Sequence, residues 1–507
     1  MTAKPSKAGP PGPPAPEDGW APHRARQARL RELETLLARR GDTSEAIGLE
    51  IERAALLSAL NRRDEAKLAF IAILRKAPTN FDALNRFGAL LTEMGAIDAA
   101  CRVYAEAILH HPQNPVGHVN LANLLLRASR YQEARGHYEK ALAVDPDHAP
   151  AHQGLGAVLS DLGDRAGARQ HFRKGFRGHA VSTLPYRGDK PPLRLLQFVS
   201  SGGGNIPTAP FLDDTRFETT VVVTDHLDPS ARLPPHQLIF NAIGDADLCE
   251  AALEAACRLT ATGSVPLIND PRAVMKTGRI GNANRLRTVP GARTARTIAC
   301  PRDVLAGAGG ARALADLGFT FPLLLRSPGY HTGRNFIQVD RAADLAAACA
   351  SLPGKELLAI EYLDARGKDG SARKYRVMMV DGELYPLHLA ISRDWKVHYF
   401  TSDMAQDADH RAEEANFLED MAAVIGDKAM CALSQVAHCL GLDYAGIDFG
   451  LDSEGTLLLF EANATMVVAR PNDDPRWAYR RAAIDRILQA VTAMIEKRAG
   501  AVECFEA

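Results

Sequence analysis

The first third of this 507-residue chain repeats itself with a period of 34 residues. Small residues recur in register at one position of the repeat, namely Ala54, Gly88, Ala122 and Gly156. Alanines recur at a second position and aromatic rings at a third, namely Ala66, Ala100, Ala134 and Ala168 with Phe70, Tyr104, Tyr138 and Phe172. Prolines close three of the units: Pro78, Pro112 and Pro146. Because small side chains let antiparallel helices approach and proline ends a helix, the period predicts stacked helical pairs over about residues 44–178.

This pattern resembles the tetratricopeptide repeat (TPR). The resemblance implies an all-α TPR solenoid, which we place at residues 26–178, with a concave face that can hold a peptide or a protein partner. The alternative is a helical bundle without repeats, and four positions in step argue against it. The histidines of this region, such as His118 and His152, are interpreted as solvated side chains.

Composition and charge narrow the classes of partner and compartment. The chain has 60 basic and 61 acidic residues, so its overall charge does not draw it to nucleic acid or to an anionic membrane. Residues 1–25 are rich in proline and predict a disordered leader, and no later segment has the roughly 20 apolar residues of a membrane helix. Eight cysteines without a CxxC motif predict reduced thiols in a cytoplasmic protein.

The sequence pattern changes after a linker at residues 179–192. Short apolar runs then follow at 193–200, 217–225, 236–243 and 264–270, with a helical pattern between the last two. Strands that alternate with helices predict an α/β domain with a parallel sheet, which we place at residues 193–270.

A predicted hairpin at residues 321–340 has a basic residue and two glycines around its loop. Arg326 ends the first strand, and Ser327, Gly329 and Gly333 follow it. Backbone amides of such a loop can bind a polyphosphate while the arginine reaches the charge. An ordinary hairpin loop is the alternative, since glycine is common there.

Two polar residues interrupt the apolar strands predicted within residues 356–392. Arg376 and His388 lie in strands joined by a turn at Asp381-Gly382. Each suggests a phosphate or carboxylate partner. The alternatives are a structural salt bridge for Arg376 and a hydrogen-bonded core histidine for His388.

A second hairpin, predicted from residues 445–451 and 457–463, gathers three oxygen-bearing side chains. In the simplest register Asp448 lies opposite Glu461, and Asn463 shares the face of Glu461. Phe449 and Phe460 are expected to face the core. Two close carboxylates are costly to bury unpaired, so the hairpin predicts a site for Mg²⁺ or Mn²⁺. Solvated acids on a surface hairpin are the alternative.

The order of these parts resembles the ATP-grasp enzymes, such as glutathione synthetases, D-alanine–D-alanine ligases and the ribosomal-protein glutamate ligases. The motifs are Asp448 with Glu461-Ala-Asn463, FPLLLRSPGYHTG and EYLD, and the resemblance covers about residues 193–495. It implies a multidomain chain: the TPR solenoid, then an α/β pre-ATP-grasp domain, then an α+β ATP-grasp fold. The implied ranges are 193–270 for the pre-ATP-grasp domain, 271–355 and 356–497 for the two ATP-grasp subdomains, and 498–507 for a tail.

The resemblance also implies roles for individual residues. Asp448, Glu461 and Asn463 correspond to ligands of Mg²⁺, and Arg376 to the catalytic arginine that steadies the transferring phosphoryl group. The loop at 327–334 corresponds to the flexible loop over the phosphates of ATP. The segment that contacts adenine and ribose corresponds to Glu361, Tyr362, Leu363 and Asp364.

Two basic positions complete the implied nucleotide site. Lys276 corresponds to the family's first nucleotide-binding lysine, with Arg279 as the alternative. Arg326 stands where the family usually has lysine, and its guanidinium binds phosphate with a different geometry.

Three functional hypotheses follow from the resemblances. The first is an ATP- and Mg²⁺-dependent carboxylate–amine (or thiol) ligase that acts through an acyl phosphate, with a small-molecule or peptide substrate and a partner on the TPR face. The second is a phosphotransferase that leaves a phosphorylated product. The third is a TPR scaffold whose nucleotide site is degenerate.

Overall fold

The computed structural model describes residues 21–40, 46–228, 230–261, 263, 265–330, 333–397 and 402–500. Most of the predicted leader and most of the tail therefore lie outside the described residues. Helix α1 begins at Ala21, inside the range predicted for the leader, and the last helix ends at Gly500, beyond the predicted domain end at residue 497. The chain divides into two compact units, described separately below.

The first unit consists mainly of the predicted helical pairs. Its described helices are α1 (Ala21–Arg40), α2 (Ala46–Ala59), α3 (Arg63–Lys76), α4 (Phe81–Glu93), α5 (Ile97–His110), α6 (Pro115–Arg127), α7 (Tyr131–Val144), α8 (Ala149–Asp161) and α9 (Arg165–Gly175). Pro78, Pro112 and Pro146 each lie two residues after the end of a helix, as the repeat predicts.

Close packing of glycine against aromatic rings explains the repeat at the atomic level. A Cβ atom at Gly88 would lie 2.5 Å from the ring of Tyr104, and one at Gly156 would lie 2.6 Å from the ring of Phe172. A side chain at Gly88 or Gly156 would collide with the facing ring, so glycine allows these two helical pairs to pack at this separation. The predicted role of the small residues is confirmed.

Two histidines of the repeats depart from the prediction. His118 and His152 are buried, although both were interpreted as solvated. Each lies on the face of its helix that packs against the next helix, where it contacts another histidine. The predicted interpretation is therefore wrong for these two side chains.

The α/β part of the chain contains the strands predicted from the short apolar runs. The strands are β1 (Val181–Thr183), β2 (Leu193–Val199), β3 (Phe217–Val223), β4 (Leu238–Asn241), β5 (Leu267–Ile268), β6 (Ala292–Thr294), β7 (Thr297–Pro301), β8 (Leu323–Arg326), β9 (Phe336–Val339), β10 (Glu356–Glu361), β11 (Ala372–Val380), β12 (Glu383–Ser392), β13 (Tyr444–Leu451) and β14 (Leu457–Asn463).

Helices cover these strands. They are α10 (Glu250–Leu259), α11 (Pro271–Met275), α12 (Arg279–Leu286), α13 (Arg302–Ala306), α14 (Gly310–Asp316), α15 (Leu345–Ser351), α16 (Ala408–Glu419), α17 (Met421–Leu440) and α18 (Arg481–Gly500). Short 3₁₀ helices lie at Thr224–His226, Ala342–Asp344, Asp403–Ala405 and Pro475–Arg480. No helix among the described residues is long and apolar enough to span a membrane.

The strands form three sheets. The first has the order β1-β3-β2-β4-β5, with β2, β4 and β5 parallel, as predicted for an α/β domain. The second has the order β7-β10-β8-β9, and the third β12-β11-β13-β14-β6. The chain is thus multidomain, with helical repeats followed by a mixed α/β region.

Two strands lie on the other side of the predicted boundary at residue 355. Strand β10, predicted to belong to the later subdomain, pairs with β7 and β8 in the four-stranded sheet. Strand β6, predicted to belong to the earlier subdomain, pairs in parallel with β14 of the later sheet. A strand belongs to the sheet in which it pairs, and its partners can be distant in sequence. A single boundary drawn along the sequence therefore cannot separate these two sheets.

Candidate functional site

A row of charged residues crosses three neighbouring strands of the third sheet. Arg376 of β11 is paired with Asp448 of β13, and Asp448 is paired with Glu461 of β14. The predicted register of Asp448 and Glu461 is confirmed. Asn463 pairs with Gly446 two positions further along β14, on the face of Glu461.

An irregularity in the ladder directly follows Asp448. Phe449 is paired with Leu459, so Phe460 is an extra residue on β14. Phe449 is fully buried, whereas Phe460 is 37% exposed. The prediction that both rings face the core is therefore wrong for Phe460, because the bulge turns it outward.

Cations of strand β11 surround the carboxylate of Asp448. Arg376 binds it through two parallel hydrogen bonds, Nε to Oδ1 at 2.5 Å and Nη2 to Oδ2 at 2.7 Å. Lys374 places its Nζ 3.3 Å from Oδ2. Burial by itself would raise the pKa of Asp448, but Arg376 and Lys374 hold that pKa well below its ordinary value. Asp448 is therefore ionised inside the protein.

Glu461 and Asn463 are also engaged by protein groups. Arg279 places Nη2 3.0 Å from Oε1 of Glu461, and Asn463 donates to the same oxygen at 3.0 Å. The Oδ1 atom of Asn463 accepts from the backbone nitrogen of Thr465 at 3.0 Å and from its hydroxyl at 2.8 Å. Each oxygen-bearing side chain of the predicted metal site thus has protein donors.

This donor set does not fit a bare divalent cation. Three cations, Lys374, Arg376 and Arg279, face two carboxylates, so a further double positive charge would meet net repulsion. Over the residues that the structure describes, no group of three His, Cys, Asp or Glu side chains could hold a metal. An excess of positive charge instead suits an anion.

The predicted phosphate loop places a further cation on the same side of the protein. Arg326 is only 8% exposed; it donates to the carbonyl of Tyr330 and lies over the ring of Phe336, 5.5 Å from its centroid. Burial, and then the charge of Arg279, lower the pKa of Arg326 to about 10. Asp245, Asp247 and Glu461 oppose that shift only in part.

The loop glycines have the backbone conformation that the hairpin needs. Gly329 and Gly333 have φ of +80° and +70°, a region that residues with a side chain rarely adopt. Ser327 is buried and donates to the carbonyl of Pro353 at 2.7 Å, which makes it an anchor of the loop. His331 and Thr332 lie outside the described residues.

The segment predicted to contact adenine and ribose has protein partners of its own. Glu361 pairs with Arg293 at 2.6 Å, and Asp364 pairs with Arg366 at 2.5 Å. Leu363 is buried in a small apolar cluster with Ala295 and Leu458, and Tyr362 is half-buried. The structure places these four residues side by side at the end of β10.

The structure brings Arg279, rather than Lys276, to the carboxylates. Lys276 is exposed just after α11, whereas Arg279 opens α12 and contacts Glu461. The alternative position suggested by the sequence is thus the one that joins the row of charges. Lys276 follows the end of α11 and Arg279 begins α12, so the two side chains belong to different helices although only three residues separate them.

Sequence reasoning missed Lys374. It lies two residues before Arg376 on the same strand, and the alternation of a β-strand places both on one face. His388, paired with Arg376 across β11 and β12, was singled out in the sequence. Burial, and then the charges of Arg376 and Arg480, hold its pKa far below the usual range, so His388 is neutral.

Comparison with known proteins decides the nature of the helical region. The family profile described as "Tetratricopeptide repeat" matches residues 115–178. The helical region is a TPR domain. The TPR repeat-containing thioredoxin TTL4 of Arabidopsis thaliana is 31% identical over 91 residues, 18% of this chain and 13% of that protein. The Heat-shock protein cognate (HSC) co-chaperone sgt12 of Aspergillus fumigatus is 28% identical over 141 residues, 27% of this chain and 41% of that protein.

The similarities are partial in length. The chain spans less than half the length of each of these curated relatives. Among solved structures, a crystal structure of MamA covers 32% of this chain and 94% of its own, with a TM-score of 0.27 and 16% identity. The family profile matches the last part of the helical region, at residues 115–178.

Proposed function

We propose that this chain is a protein-binding scaffold whose TPR domain holds a peptide or protein partner, and that its α/β region binds ATP. The proposal that the TPR domain binds a partner is supported by the repeat itself, by the packing of Gly88 and Gly156 against aromatic rings, and by the family profile over residues 115–178. Stacked repeats present a continuous surface of the kind that binds extended peptides and partner proteins.

The row of charges from Arg376 to Glu461 carries the proposal of ATP binding. Lys374, Arg376 and Arg279 exceed the two carboxylates that they face. Arg326 adds a guanidinium that is only 8% exposed; burial, and then the charge of Arg279, lower its pKa although Asp245 and Asp247 act in the opposite direction, and a bound phosphate would stabilise its charged form. A triphosphate supplies the missing negative charge, and guanidinium groups bind phosphate oxygens in pairs.

With a bound ATP, the same residues suit an ATP-dependent carboxylate–amine (or thiol) ligase. The γ-phosphoryl group passes to an oxygen of a substrate carboxylate and ADP leaves. An amine then attacks the carbonyl carbon of the acyl phosphate, forms the C–N bond, loses a proton and expels phosphate. Arg376 would neutralise the charge that develops on the transferring group. No step of this proposal passes through a metal, since the carboxylates present do not fit a bare Mg²⁺.

A scaffold with an inactive nucleotide site is the second candidate, and three contacts favour it. Asp448 is already neutralised by Arg376 and Lys374, and Arg326 is held by the carbonyl of Tyr330. A site completed by its own ion pairs can be purely structural. A phosphotransferase uses the same ATP site and differs only in keeping the phosphate on its product.

One experiment separates these candidates. The full chain is incubated with ATP, Mg²⁺ and a panel of amino acids and peptides, and ADP and free phosphate are measured. A ligase releases both, a phosphotransferase releases ADP and retains phosphate in the product, and a scaffold with an inactive site releases neither. Arg376→Lys is the informative variant and Arg470→Lys, on an exposed pair with Asp485, is its matched control. Equal ADP release by these two variants and the natural chain would remove Arg376 from the reaction.

A further inference from the structure

Two histidine pairs occupy equivalent places in the last two repeats. His118 of α6 contacts His137 of α7, with 3.0 Å between their Nδ1 atoms. His152 of α8 contacts His171 of α9, with 2.8 Å between the same atoms. The second pair lies one repeat of 34 residues after the first. The same contact therefore links the two helices of each of two successive repeats.

The rings face each other through these nitrogen atoms. The ring centroids are 5.3 Å apart in the first pair and 5.0 Å apart in the second. The ring planes are tilted by 38° and 46°, so the rings are not stacked, and each contact is a hydrogen bond between two Nδ1 atoms in which one donates and the other accepts.

A backbone carbonyl decides which ring donates. Nε2 of His152 lies 2.9 Å from the carbonyl oxygen of Pro146, which can only accept, so His152 carries its proton on Nε2. In the neutral ring Nδ1 is then an acceptor, and His171 must donate. His118 makes the same backbone hydrogen bond to Pro112, so His137 is the donor of the first pair.

This arrangement limits the number of protons that a closed pair can bind. A proton on Nε2 of the outer ring, His137 or His171, leaves its Nδ1–H bond in place. A proton on Nδ1 of the inner ring, His118 or His152, places two N–H donors in contact with no acceptor between them, so the hydrogen bond of the pair is lost. A closed pair therefore binds at most one extra proton, whereas two separated histidines bind two.

We propose that the two histidine pairs are an acid-sensitive latch that holds the helices of the last two TPR units together. The inner rings are buried, so a second positive charge there has no access to water. The carbonyls of Pro112 and Pro146, which follow α5 and α7, also fix the tautomers of His118 and His152. Because these prolines recur with the repeat, the latch recurs with it.

Charged groups around each pair act on the outer ring. Glu133 and Lys140 face the first pair. Glu139, Asp164 and Lys174 face the second. In both pairs burial is the largest influence, and it lowers the pKa of His137 and His171, as it does that of His118.

The sign of the pH dependence follows from the proton count. Because a closed pair binds at most one extra proton and burial lowers the pKa of His118, His137 and His171, the open state binds more protons once the pH falls below about 6.5, the ordinary pKa of histidine. Stability is intact above that pH and is lost below it. With an excess of at least one proton per pair, opening both pairs together becomes about 100-fold more favourable per pH unit between about pH 6 and pH 5.

Hydrogen–deuterium exchange of the full chain, read by mass spectrometry, tests the latch. The opening constant of peptides within residues 115–175 is measured from pH 7.5 to pH 5, after correction for intrinsic exchange. The double variant His137→Asn/His171→Asn keeps a side-chain donor near each Nδ1. The Asn amide can also turn its oxygen toward a protonated inner ring. The opening constant of this variant should therefore no longer depend steeply on pH. His110→Asn, on an exposed histidine beside Glu106, is the matched control and should keep it.

Two results would overturn the latch. One is the same pH dependence in the double variant and in the natural chain. The other comes from the natural chain alone, and it applies even if the double variant fails to fold. Magnetic resonance of the histidine rings should show that the inner ring of His118 titrates below the ordinary histidine range in the folded chain. Titration of His118 near pH 6.5, with the helices still protected from exchange, would contradict the proposal.

Discussion

Arg376 and Asp448 form a bidentate ion pair across strands β11 and β13, with hydrogen bonds of 2.5 and 2.7 Å. The pair joins the central strands of the third sheet and is paired in turn with Glu461 on β14. Charged residues at the centre of a sheet are costly to desolvate, so each depends on its partner. This ion pair therefore has a structural role in the third sheet and a proposed role in ATP binding.

Removing Arg376 should destabilise the α/β region strongly. Arg376→Ala leaves the buried Asp448 with Lys374 as its remaining close cation, and breaking such a pair costs about 3–5 kcal/mol. Arg366→Ala breaks an exposed pair with Asp364 and should cost at most about 1 kcal/mol. Urea unfolding followed by the fluorescence of Trp395 and Trp477, both in the α/β region, measures the difference. Equal losses in the two variants would show that Arg376 is not structurally required.

The same ion pair predicts a defined dependence on pH. The pKa of Asp448 is lowered in the folded chain, so its contribution is present above the unfolded value near 4 and is lost as the pH falls below it. Asp448→Asn should therefore be less stable than the natural chain at pH 7, and this difference should shrink from about pH 4 downward. Urea midpoints at a series of pH values measure it. A difference that stays constant down to pH 2.5 would contradict the assignment.

Two glycines of the repeats should respond to alanine in opposite directions. Gly88→Ala places a methyl group against the buried ring of Tyr104 and should cost about 1–3 kcal/mol. Gly136→Ala, in α7 with open space around it, should stabilise its helix by up to about 1 kcal/mol. Thermal unfolding followed by circular dichroism at 222 nm compares them. A stabilising Gly88→Ala would refute the packing explanation of the repeat.

Much of this fold follows from the spacing of residues along the chain. The 34-residue period predicts the helical pairs, and alternation predicts that Asp448 and Glu461 lie opposite each other. The bulge after Asp448, which exposes Phe460, depends on local backbone geometry that no spacing encodes. The burial of His118 needs a partner from another helix, which only the folded chain supplies.

The site was predictable only in part for a similar reason. Asp448, Glu461 and Arg376 stand out because polar residues interrupt apolar strands. Arg279 comes to Glu461 through the direction of a helix, and Lys374 was missed because nothing in the sequence shows that β11 lies inside the sheet, between β12 and β13. The chemistry of the site, cation-rich instead of acidic, emerges from these two side chains.

Magnesium alone should not stabilise the chain. The carboxylates are already faced by an excess of cations, so Mg²⁺ up to millimolar concentration should leave the melting temperature unchanged. ATP, which binds the folded state, should raise it. The thermal-shift comparison uses Mg²⁺, ATP and both together, with Ca²⁺ as the control for ionic strength. A rise with Mg²⁺ but not with Ca²⁺ in the absence of nucleotide would mean that Asp448 and Glu461 accept a metal without phosphate.

Isothermal titration of the full chain with ATP tests most directly whether the cations around Asp448 and Glu461 bind a triphosphate. The variants are Lys374→Met and Arg326→Met, each a cation of the proposed site, with Arg470→Met, on an exposed pair with Asp485, as the matched control. Each site variant should weaken ATP binding by about tenfold or more, as expected for the loss of one charge-assisted contact, and the control should not. ATP binding of equal strength in all three variants, or no binding by the natural chain, would contradict the proposed nucleotide site.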